Sequence, residues 1–213
     1  MPAPIDNLKE AERKVFTATF QDGLLEIFLG CFVLMFAIAP LLSVSLGDFW
    51  SSFVFLPFWA LVYLAIHFVR KHVVRPRLGQ VGFGPARKAR LVRFNLWMLL
   101  VLVAGLLLGI LAAVNPLGPG WIYQAVFGLL VLALASLAAY FLDFDRLYLY
   151  GVLFAFSPMV GEWLYQNLGA SHHGYPIVFG AAASLMILTG LILFIRFLRE
   201  HPLPVQGAAS VER

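Results

Sequence analysis

Six long apolar stretches, joined by short polar segments, decide what this chain can fold into. They cover residues 23–44, 49–69, 94–114, 121–142, 147–165 and 176–197. About 20 such residues are needed for a helix to cross a hydrocarbon core about 30 Å thick. Lipid offers no partner to backbone N–H and C=O groups, so each stretch must close its own hydrogen bonds as a helix. The expected fold is all-α: an integral membrane bundle of six transmembrane helices, forming one domain over 23–197. Composition agrees. Charged residues make up 12% of the 213, against about 25% in a soluble domain. That share cannot cover a globule of this size with water-compatible groups.

The segments flanking the bundle read differently. In residues 1–22, Leu8, Ala11, Val15 and Thr19 share one side at helical spacing, with Phe16 and Phe20 adjoining. This predicts an N-terminal amphipathic helix lying at the membrane interface. The same residues lack the apolar core and small-residue cleavage site of a secretory signal, so an uncleaved first span is expected. Residues 198–213 carry Pro202, Pro204 and Gly207, the composition of a disordered tail. The single cysteine, Cys31, lies in the first span, which rules out an intrachain disulfide.

Charge sets the expected orientation. Lys and Arg number three in 1–22, eight in 70–93, one in 143–146 and three in 196–213, together all 15 in the chain. Cytoplasmic loops carry such an excess, so both termini are expected in the cytoplasm, with the chain in a prokaryotic inner membrane. The net charge of +4 then follows from topology and calls for no nucleic-acid partner.

Ionisable and polar groups within the spans are the candidates for function, because isolated charge is costly in a bilayer. Glu26 lies one turn into the first span, with Asp22 four residues before it on the same face. His67 lies near the end of the second span, at similar depth across a hairpin, and Asn95 opens the third at a comparable level. A Glu26–His67 pair is expected there, binding a proton or cation or joining two helices. Towards the other side lies Glu162, one turn beyond Pro158, with Gln124 at matching depth and His172 and His173 in the following loop. Adjacent histidines do not form the i, i+4 pair that a helix presents to one metal, so no metal site is expected.

The basic segment 70–93 is expected to be a cytoplasmic loop, with a short extended piece around Val81 and Phe83 and a helical lead-in from Arg87. Arg75, Arg77, Arg87, Lys88 and Arg90 are its candidates for binding anionic lipid headgroups or a protein partner. Its glycines fit neither phosphate-binding pattern. Small residues, Gly105 and Gly109 in span three, Ala135 and Ala139 in span four, and 180–184 in span six, allow close helix approach and a homo-oligomer. The chain has no G-x-S-x-G turn, no H-E-x-x-H and no Cys/His cluster, so no cofactor is expected and the reading leans away from an enzyme. Shifting the first span by 98 residues aligns Glu26 with Gln124 and Gly30 with Gly128, but the later spans do not hold this offset as an inverted repeat would.

Gln21-Asp22-Gly23-Leu24 and Arg75-Pro76-Arg77-Leu78-Gly79-Gln80-Val81-Gly82-Phe83 resemble segments of small uncharacterised prokaryotic multi-pass membrane proteins. The resemblance covers about the first half of the chain. It implies a membrane location and supplies no activity. The leading expectation is a small transporter or channel-like protein for an ion or small solute, working through Glu26, His67 and Glu162. The alternatives are a non-catalytic membrane scaffold or regulatory subunit and, third, a membrane enzyme acting on a lipid.

Overall fold

The computed structural model describes residues 22–78, 85–114 and 120–202. Among them the chain is all helix, with six helices long and apolar enough to cross a membrane. They are α1 (Leu24–Phe53), α2 (Phe55–Val69), α3 (Pro85–Val114), α4 (Gly120–Leu142), α5 (Arg146–Leu168) and α6 (Tyr175–Glu200). The amphipathic helix expected in 1–20, the extended piece at Val81 and Phe83, and the tail from 203 lie outside the described residues.

The joint expected at 45–48 is present but tighter than a loop: inside α1 the helical path breaks at Gly47 (φ 78°, ψ 163°), and the second membrane span runs from Phe49. Only glycine holds that backbone conformation without steric cost, so one residue does the work assigned to a loop. The basic segment is largely helical. Beyond α2 the chain makes a π-helical stretch, Arg70–Val74, then one α-helical turn, Arg75–Leu78. Arg75 N–H donates to Arg70 O, five residues back. Pro76 supplies a reason: it has no N–H to give and its ring crowds the carbonyl four residues earlier, which favours a wider turn.

In lipid the spans gain little from burying apolar surface against one another, so close packing must hold them together. The tightest seam joins α1 to α6 through small residues. A Cβ on Gly30 would lie 3.0 Å from Ile187 N and 3.1 Å from Ala183 O, and one on Gly190 would lie 2.7 Å from Gly23 O. Gly23, Gly30 and Ala37 recur every seventh residue, which keeps them on one helix face. On α4 and α5 the same device appears as Gly128 against Ala155 and Gly151 against Ala135. Val33, Ala37, Ala139, Phe179, Ala183 and Met186 form the centre of the core. Thus α1, α4, α5 and α6 make a packed unit.

The other two helices are attached loosely. No described side chain of α3 is fully buried, and on α2 only Phe55 is. Besides its own extension, α2 rests mainly on α1, and α3 rests mainly on α4. Gly105 meets only the Leu130 side chain, and a Cβ on Gly109 would meet nothing within 4 Å. Among the described residues, the G-x-x-x-G pair of span three therefore makes no close helix contact.

Candidate functional site

The strongest concentration of buried charge lies at the basic end of the bundle, where α1 begins. Asp22 and Glu26 are both completely buried, at 0% exposure. Asp22 Oδ1 accepts a hydrogen bond from Leu24 N–H (3.0 Å), capping α1. Two carboxylates in this position also meet the positive end of the helix dipole. An arginine reaches in from each side. Arg146, at the start of α5, donates from Nη1 to Glu26 Oε1 at 2.9 Å. Arg70, at the start of the π-helical stretch, lies 3.6 Å from Asp22 Oδ2, too far for a hydrogen bond. Tyr150 lies beside Glu26 and Arg146, one turn along α5. Asp22 Oδ2, Glu26 Oε2 and Arg70 Nε, all buried, make no hydrogen bond. Burial pushes the Asp22 carboxyl above its ordinary range, against the opposing pull of Arg70.

The expected Glu26–His67 pair is not formed. Glu26 is taken by Arg146, while His67 is exposed and stacks on Tyr63 at 6.0 Å. The rotation of α2 turns His67 outward. Asn95 is likewise exposed on α3. The partner that sequence reasoning missed was Arg146, counted there only as a topological charge. The available signal was its place as the one basic residue in the joint between spans four and five.

A second clamp closes the α4–α5 joint. Arg90 Nη1 and Nη2 bind Asp143 Oδ2 and Oδ1 at 2.9 and 3.2 Å, and Nη2 donates to Tyr140 O at 2.5 Å. This satisfies a carbonyl at the end of α4. The planar fork of arginine suits the two-oxygen contact, and Arg90 is thereby committed within the fold. Arg77 donates to Val73 O (2.7 Å), and Arg75 is exposed. Arg87 and Lys88 sit on the first turn of α3, with side chains outside the described residues.

At the opposite end, Glu162 accepts hydrogen bonds from Gln166 Nε2 and His173 Nδ1, each at 2.9 Å. His173 also stacks against Tyr165 (4.5 Å). His172 and His173 both hold positive φ, 52° and 53°, where the chain turns into α6. Gln124 pairs with Tyr175 rather than with Glu162. Among the described residues no group of three or more His, Cys, Asp or Glu could hold a metal ion.

Between the two ends the open spaces are apolar. A groove of about 260 Å³ is lined by Leu29, Phe32, Met98, Leu134, Tyr150 and Phe154, among others, where α1 and α3–α6 meet. A second, about 320 Å³, lies near the opposite end among Phe36, Pro40, Gln124, Phe127 and Tyr175. Six membrane-length helices, with salt bridges at one end, a Glu–His–Gln cluster at the other and apolar grooves between them, define a multi-pass membrane protein. Comparison with protein families, curated proteins and solved structures finds no match.

Proposed function

We propose that this chain is a membrane scaffold or regulatory component that holds another hydrophobic element against its side. One observation carries this reading: four helices form a packed unit, while the described side chains of α2 and α3 include a single fully buried one, Phe55, and Met98 of α3 borders an apolar groove. Helices that bury little within their own chain are suited to pack on a neighbour, whether a second copy or another membrane protein. The basic end then faces the cytoplasm, where exposed Lys71, Arg75 and Arg93 can meet anionic headgroups.

The transporter reading draws on Glu26, His67 and Glu162. The geometry lends it less support, because both acids are engaged by neighbours and the grooves described are apolar. A photo-crosslinking residue at Leu64 of α2 or Leu106 of α3 should give discrete protein adducts in native membranes. The same group at Ile192 of α6 should label lipid alone. Lipid-only labelling at all three positions would overturn the proposal. Cation flux through reconstituted vesicles that is abolished by Glu26→Gln would favour transport instead.

A further inference from the structure

The charge cluster at the start of α1 contains two acids in unequal circumstances. Glu26 is held by a direct 2.9 Å contact with Arg146. Asp22 is equally buried, but its arginine stands off at 3.6 Å, and Oδ2 makes no hydrogen bond. A buried carboxylate with so weak a partner carries most of its desolvation cost uncompensated, and Glu26 four residues away adds repulsion. Arg70 is 37% exposed, so the cluster opens to water on its side, and its guanidinium can turn outward to the headgroups.

Arg70 also sits where α2 changes character. It opens the π-helical stretch, and such turns mark points where a helix can readjust. Among the described residues, α2 and its extension are fastened at the basic end by the Arg70–Asp22 ion pair and by Val69 and Val74 packed with Leu24 and Phe197. Among the described residues, the other charged groups nearby are engaged elsewhere. Arg146 is on Glu26, Arg196 is on Glu200, and Arg77 is on Val73 O. Against Gly23, α6 presents the backbone of Gly190 and Phe194 and the side chain of Leu193. His201 stacks on Phe197, and His72 stacks on Phe68 at the exposed surface.

We propose that Asp22 is a proton-binding site whose occupation releases Arg70 and loosens the basic end of α2 from the packed unit. A proton from water adds to Oδ2, the carboxyl becomes neutral, and Arg70 keeps its charge and turns to the membrane surface. Oδ1 keeps its bond to Leu24 N–H, so α1 stays capped. Glu26 keeps its contact with Arg146, which leaves the packed unit intact. The proposal goes beyond the scaffold reading and needs no partner to be tested.

The test uses the full chain in lipid nanodiscs, with Cys31→Ala and nitroxides at Lys71→Cys and Arg199→Cys, read by pulsed electron resonance. Lowering the pH from about 8 to about 5, a range that spans a raised carboxyl titration, should increase a longer-distance population. Asp22→Asn, which keeps the capping oxygen, should show that population at both pH values, as should Arg70→Gln. Infrared difference spectra should show a protonated carboxyl band that Asp22→Asn removes. His72→Gln and Glu26→Gln should each retain the pH response. An unchanged distance distribution in the parent chain overturns the proposal, as does a pH response that survives Asp22→Asn. Loss of the response in His72→Gln or Glu26→Gln overturns it too, by moving the titrating group elsewhere.

Discussion

The Glu26–Arg146 pair should show a marked asymmetry between its two halves. Glu26 is completely buried, whereas Arg146 is 40% exposed and sits at the membrane edge. Removing the arginine leaves a carboxylate with no counter-charge and no path to water. Removing the glutamate leaves an arginine that can extend its guanidinium to the headgroups. Breaking a buried pair from the side that strands the charge costs about 3–5 kcal/mol. The neutral Glu26→Gln should cost about 1–2 kcal/mol, close to one charge-assisted hydrogen bond. Arg146→Gln should therefore be clearly the worse variant. In the double variant neither charge is stranded, so its loss should fall well below the sum of the two single losses. The measurement is a double-mutant cycle by reversible unfolding in mixed micelles, at neutral pH and fixed lipid-to-detergent ratio. Equal losses from the two single changes, or strict additivity in the double, would refute the reasoning. Either result would mean that loss of Arg146 does not strand Glu26.

Three further expectations follow from the same geometry. Asp22 has its carboxyl raised by burial, so its contribution to folding is fully present below the unfolded pKa and is lost as the pH rises through the folded one; Asp22→Asn should remove that part of the fall in stability with pH, and an identical slope in parent and variant would count against it. Gly30→Leu must push α1 away from Ile187 and Ala183 and should cost about 1–3 kcal/mol as overpacking, whereas Gly109→Leu, which meets open space, should leave the unfolding midpoint of the isolated protein unchanged. Reporter fusions at Gly118 and Arg213 should read outside and inside respectively, and the same reading at both would refute the orientation.

The residues show why some features could be read from the sequence and others could not. The number and position of the helices follow from apolar length, because a span must satisfy its backbone internally whatever its neighbours do. That property is local, and it is written in 23–44 as plainly as in 176–197. The acids were legible for a similar reason: Asp22, Glu26 and Glu162 stand out in an apolar run whatever surrounds them. Their partners were not legible. Pairing depends on helix rotation and on which helices adjoin, and the rotation of α2 leaves His67 exposed rather than facing Glu26. Arg146 lies 120 residues from Glu26 in the chain, and no sequence period relates them. In the sequence the small residues at 105, 109, 135, 139 and 180–184 stood out while Gly23, Gly30 and Ala37 were passed over, and it was the packing of α6 that marked the face of these three as the main seam. The pair at Gly105 and Gly109 looks alike in sequence, yet among the described residues it meets one leucine side chain and open space. The sequence by itself determined that this chain lives in a bilayer as six helices. Tertiary structure decided which helices form the packed unit and which charges meet, because lipid solvates every apolar face about equally and leaves that choice to the fit of surfaces.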